Sequence, residues 1–216
     1  MVVYTEPAHA GEFIVSEANG TQSREGITLL SGQSYKAGAV LGKITYGSAA
    51  AAAVAGGTGN GTLTLDATTP VLAGAKVGVY TVACIAAAAN SGTFRVTDPD
   101  GFVLGDVDVG ATFSNDVKFV IADGSADFVV GDKFSVTVSE GSGKYREWNP
   151  ANTDGSQTVA GVLFDAVDAT SADAQGVAIA RNAEVVKASL VWFSGATDSQ
   201  KAAGVAQMAA KGVIAR

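Results

Sequence analysis

Residues 32–45, GQSYKAGAVLGKIT, followed much later by residues 143–169, GKYREWNPANTDGSQTVAGVLFDAVDA, decide how this chain is read. In the first stretch Gly32 and Gly38 mark turns. Ile27, Leu29 and Leu30 before it, and Val40, Leu41, Ile44 and Tyr46 in and after it, form an apolar run suited to strands. Residues 159–167 and 177–179 have the same character, and residues 190–193 form a further apolar run. Between these stretches the composition changes abruptly. Residues 47–61, GSAAAAAVAGGTGNG, carry almost no large side chains. Residues 48–61 therefore read as a linker, flexible at its glycine-rich end.

Beyond the linker, β-prone runs recur at 62–65, 79–85, 93–97, 102–109, 117–121 and 133–138. Asp98-Pro99-Asp100-Gly101, Asp123-Gly124 and Gly131-Asp132 supply turns between them. Phe134, Val136 and Val138 alternate with Ser135 and Thr137, the period of a half-buried strand. Six or seven short strands at this spacing predict a small sandwich over residues 62–140.

Charge divides the chain at the same places. Residues 1–47 hold four acids and three bases, residues 48–140 ten acids and four bases, and residues 141–216 seven of each. The interruption is acidic and its flanks are nearly neutral. With a total of −7, the chain has no electrostatic footprint for nucleic acid. The single cysteine, Cys84, excludes an intrachain disulfide and points to synthesis in a cytosol. The first residues, MVVYTEPAHAGEF, do not read as a secretory signal, and no segment is long and apolar enough for a transmembrane helix.

The flanks carry a resemblance. Gly32, Tyr35, Gly38 and Leu41–Thr45, then Tyr145, Trp148, Asn149 and Pro150, then Gly155, Gln157, residues 161–169, 176–191 and 208–216, follow the order of motifs in the bacteriophage lambda-type head decoration family. The resemblance covers a little over half of the chain. It implies that 27–47 and 141–216 are one discontinuous domain. The fold class expected is mostly β with some α (α+β), ending in a helix and interrupted by a β-sandwich that looks immunoglobulin-like. The resemblance also implies a structural protein on the outer surface of a virion. It would act as a homotrimer at three-fold positions of the expanded head, with the phage major capsid protein as partner and no nucleic acid, membrane or cofactor involved.

Residues 1–26 form a polar leader whose middle holds one apolar cluster, Phe13, Ile14 and Val15. Alone it buries too little to order itself. The resemblance makes it a capsid-binding arm that adds a strand to a partner's sheet. Trp148 and Trp192 are candidate interface anchors, with core packing as the alternative. At the other end, Thr197-Asp-Ser-Gln200 is a capping box opening a helix. Val205, Met208 and Ala209 share a face, Lys211 suits the last turn, and Gly212 suits a left-handed cap that lets Val213 fold back on Met208.

Catalytic chemistry finds little support. Gly38–Lys43 has three residues between its glycines where a phosphate loop needs four, and Ile44 replaces the magnesium-binding hydroxyl. Gly57, Gly59 and Gly61 lack dinucleotide spacing and a following helix. His9 stands alone in the leader, and Cys84 lies in an apolar strand without a base. Asp98, Asp100, Asp106 and Asp108 could hold calcium, but their spacing is not that of an EF-hand and a solvated face is the better reading. The alternative to decoration is a secreted adhesion module whose sandwich binds a glycan or protein. The insert is a candidate for a weak host-surface ligand, and is expected not to be needed for the capsid grip. A hydrolase lacks a usable constellation.

Overall fold

The structure, a computed structural model, describes Glu6 and residues 8–216. In chain order the strands are β1 (Ile14–Glu17), β2 (Arg24–Leu29), β3 (Gln33–Tyr35), β4 (Val40–Lys43), β5 (Tyr46–Ala53), β6 (Thr62–Leu65), β7 (Gly78–Ala88), β8 (Ser91–Thr97), β9 (Val103–Asp108), β10 (Thr112–Ser114), β11 (Lys118–Ala122) and β12 (Lys133–Glu140). There follow β13 (Tyr145–Glu147), β14 (Val159–Leu163), β15 (Val167–Ala169), β16 (Ala174–Ile179), β17 (Ala183–Val185), the helix α1 (Asp198–Ala210) and β18 (Val213–Ala215). The chain is thus mostly β with one long helix near its end. It divides into two compact units, one up to Thr45 and again from Gly143, the other Tyr46–Ser142.

In the discontinuous unit, β13, β2, β16, β14 and β4 close into a barrel in that order. Closure pairs each of these strands on both sides. Tyr145 is the hinge of the closure: it pairs parallel with Leu29 of β2 and antiparallel with Lys43 of β4. Ile27, Leu29, Leu41, Leu163 and Ala178 point into the barrel and are buried. A second core joins the barrel to α1 and to the small sheet β1-β17-β18, with Phe13, Val40, Trp148, Val185 and Met208 at its centre. Gly42 sits in the barrel wall with no room for a side chain. A Cβ there would lie 2.0 Å from the Ser156 carbonyl oxygen, so no larger residue fits beneath the 149–158 loop. The ends of the interruption are tied inside this unit: Ile44 N–H donates to the Lys144 carbonyl at 2.9 Å, and Gly143 N–H to the Ile44 carbonyl at 3.0 Å.

The helix starts and stops as its sequence dictates. Thr197 accepts from Gln200 N–H while the Gln200 side chain accepts from Thr197 N–H. Gly212 has φ +77° and Val213 is buried in the same core as Met208. Two details differ from expectation. Lys211 is the cap itself, and Ala209 is exposed, whereas Gly204 is buried beside Met208.

The second unit has two sheets, β5-β12-β7-β8-β9 and β10-β11-β6, closed on one core. Tyr80, Val82, Phe94, Val96, Val136 and Val138 come from the larger sheet, and Phe113, Phe119 and Ile121 from the smaller. Phe128 packs edge-on against Phe94 and Phe134 within it, its ring centroid 4.9 Å from that of Phe94. Cys84 is in this core, where burial raises its thiol pKa.

Two expectations are corrected. Residues 48–61 are not a linker throughout, because β5 pairs with β12 from Tyr46 to Ala53. The alanines are strand residues whose small side chains suffice at a sheet edge, Ala49 and Ala51 packing on the core. The glycine-rich part is also held: buried Asp132 accepts from Thr58 N–H and Gly59 N–H at 2.8 Å and from Val129 N–H at 3.0 Å. Nor are residues 1–26 one free arm. β1 pairs with β17, and β2 begins at Arg24. β2 is paired on both sides within the barrel, whereas β1 is an edge strand paired on one side, so the residues before β1 and the outer edge of β1 remain for such a role.

Candidate functional site

The leader enters the fold at Gly11, whose N–H donates to the Phe164 carbonyl at 2.8 Å. Phe13 is 2% exposed, and its carbonyl accepts from Val186 N–H at 2.7 Å. Ile14 pairs with Val185 and packs against the same core. Val15 points out and is 53% exposed. The three residues therefore part company. Phe13 is a core anchor rather than a grip, Ile14 is half-buried, and Val15 alone presents apolar surface. Charge fastens the same strand: Ser16 Oγ donates to Glu184 at 3.0 Å, and Arg216 Nε donates to it at 2.8 Å. The Arg216 guanidinium, then Ser16, lowers the Glu184 pKa. Arg24 pairs with Glu17 and lies 4.2 Å above the Phe164 ring, a cation–π contact.

Before Gly11 the described residues rim an open recess of about 270 Å³ with Phe13, Ala37 and Ser189. His9 is exposed there; its Nε2 is 3.0 Å from Glu6 Oε1, and its backbone N–H donates to Glu12. The first five residues and Pro7, part of the expected arm, lie outside the described residues.

Trp148 and Trp192 meet edge-to-face with ring centroids 5.3 Å apart. Trp148 is 1% exposed and donates from Nε1 to the Gln157 carbonyl at 2.7 Å. Of the two alternatives for Trp148 the structure shows core packing within the chain, with ring and N–H both consumed inside the unit. Trp192 is half-buried and keeps some free surface. Gly204 of α1 lies against both rings, and Gln207 of the same helix accepts Val159 N–H at 2.8 Å. A glycine inside an otherwise strong helix pattern was the sequence signal for this close approach.

The loop after Trp148 is built from its own polar residues. Asn149 accepts from Ala151 N–H, Asn152 donates to Ser156 Oγ, and Gln157 accepts from Gly155 N–H. Asp154 accepts from Ser156, and its carbonyl accepts Thr45 N–H at 2.9 Å. Burial raises the Glu147 pKa, with the Arg146 charge opposing. The acids weighed for calcium are paired otherwise: Asp98 and Asp100 with Lys76, Asp106 with Arg95, and Asp108 with Thr93. Among the described residues no group of His, Cys, Asp and Glu has metal-site geometry. What the site offers is contact surface.

The model of the family described as bacteriophage lambda head decoration protein D matches residues 3–213. The chain belongs to that family, a class of structural proteins of the phage head. The match extends across the interruption. No curated protein matches the chain significantly. Among solved structures, two crystal forms of Xanthomonas campestris FlgL are similar in part. One (space group H3) is 25% identical, covering 48% of this chain and 33% of that one, at a TM-score of 0.32. The other (space group C2) is 23% identical, covering 52% and 32%, at 0.31. The chain thus spans about a third of FlgL, and at these TM-scores the likeness carries no argument.

Proposed function

We propose that this protein is a cement protein that binds the outside of the expanded phage head as a homotrimer at three-fold positions and stabilises it against packaged DNA. The observation that carries this reading is the family match over residues 3–213. A protein that binds only the expanded shell stabilises that state by mass action. Three leaders on one trimer engage neighbouring capsid subunits together, so modest contacts gain avidity. The gripping element is the segment before Phe13, with Val15 beside it; strand β1 fixes where that segment leaves the fold. The major capsid protein is the partner, and the protein has no catalytic role.

The residues of 46–142 are read as an immunoglobulin-like module dispensable for the grip. Their separate core supports this. A second reading, an adhesion module, is favoured by exposed Phe102 and Val103 at 67% and 57%. Electron microscopy of bare expanded heads mixed with purified protein tests the main reading. Density at the three-fold positions is expected; heads left undecorated at saturating protein would refute it.

A further inference from the structure

One recess of the barrel unit gathers positive charge from three separate parts of the chain. Lys43 ends β4, Arg181 lies between β16 and β17, and Lys211 caps α1. With Glu25, Tyr145 and Thr158 they line an open recess of about 310 Å³. The fold sets this grouping. Ala183 N–H donates to the Gly212 carbonyl at 3.1 Å, which brings the end of α1 beside the turn that carries Arg181. Tyr145, buried in the barrel closure, lies with its ring centroid 5.8 Å from Lys43 Nζ.

The charges do not cancel internally. Arg181 is taken by Glu25 at 2.9 Å and by the Gln22 carbonyl at 3.2 Å. Lys43 and Lys211 form none of the ion pairs found among the described residues. Three cations therefore face one carboxylate, in a unit whose charges otherwise nearly balance. Tyr145 and Thr158, which both carry hydroxyls, also line the recess. Burial, with the Glu25 charge adding to it, raises the Tyr145 pKa.

We propose that the Lys43–Arg181–Lys211 recess is a binding site for carboxylates on an acidic segment of a partner protein. The choice of a protein carboxylate rests on membership of a head decoration family, whose neighbours on the head are proteins. Lys43 and Lys211 supply the attraction, and the Glu25–Arg181 pair fixes the wall between them. Contact of this kind is salt-sensitive, because the recess is open to solvent.

The test uses the full chain, so it is independent of whether heads are decorated. Amide chemical shifts are followed by NMR during titration with hexaglutamate, hexaglutamine or inorganic phosphate. Hexaglutamate is expected to shift the Lys43, Arg181 and Lys211 amides, with affinity falling as salt rises. The double variant Lys43→Gln, Lys211→Gln should bind about tenfold more weakly, each solvent-accessible charge being worth a factor of about two to five. Lys211→Glu alone, at an exposed cap, gives a second variant should the double one fold poorly. Absence of hexaglutamate shifts, equal shifts with hexaglutamine, or equal affinity for phosphate would each overturn the proposal. A failure of head decoration with these shifts intact would instead count against the cement reading alone.

Discussion

Gly204 of α1 lies directly against Trp192: a Cβ at position 204 would stand 2.6 Å from Cζ3 and 2.9 Å from Cη2 of that ring. Helix propensity alone favours alanine over glycine by about 1 kcal/mol. Here packing outweighs propensity. Gly204→Ala is expected to destabilise the barrel unit by about 1–3 kcal/mol, the usual cost of overpacking. Urea denaturation followed by tryptophan fluorescence measures it, and an unchanged or raised midpoint would contradict the contact.

Phe13 and Val15 separate stability from binding. Phe13→Ala removes a buried ring and should cost about 3–5 kcal/mol. Val15→Asp alters an exposed side chain and should leave the melting temperature unchanged while weakening co-sedimentation with expanded heads. Loss of head binding in neither variant would remove the segment around β1 from the grip.

Deleting residues 2–8 should leave the circular dichroism and melting of the full chain intact, since among the described residues Gly11 is the first to donate a backbone hydrogen bond into the barrel unit. The same deletion is expected to abolish head binding. Full retention in a sedimentation assay would sink the arm.

Asp132 should impose an acid limit on the second unit. Burial pushes its pKa up, but N–H donors from Val129, Gly59 and Thr58 together hold it below the ordinary carboxylate value of 3.8. The unfolded chain therefore takes up a proton first as pH falls. The stabilisation is complete above that ordinary value and is lost as pH drops through the lower folded value. Asp132→Ala leaves three N–H groups without their acceptor and should cost about 1–3 kcal/mol at neutral pH. A shallower pH dependence below about pH 4 in the variant is the accompanying sign.

Much of this architecture was legible because local chemistry and tertiary structure agree. The Thr197 capping box, the Gly212 cap, and the alternation of Phe134, Val136 and Val138 each state their conformation in a few residues. β5 did not, because alanine has little intrinsic preference for strands and pairs there through its backbone. The burial of Phe13 is hidden in the sequence for a different reason. A short apolar cluster in a polar leader reads the same whether its partner is another chain or a strand 170 residues on; the pairing of Ile14 with Val185 is non-local information. For Trp148 the sequence leaves both core and interface open. Only the Gln157 carbonyl on its Nε1 shows that its polar end is already satisfied.

The two hydrogen bonds between Ile44 and residues 143–144 have a topological consequence. They make the base of a hairpin, so to the barrel the whole acidic unit is a loop between two adjoining strand ends. The entropy of closing a loop grows only with the logarithm of its length, about 0.6 kcal/mol per doubling. A unit that folds around its own core removes even that dependence, since its ends arrive already together. The barrel is therefore expected to exchange this cargo for a few residues of glycine and serine, or for another self-folding module, with its own strand register untouched.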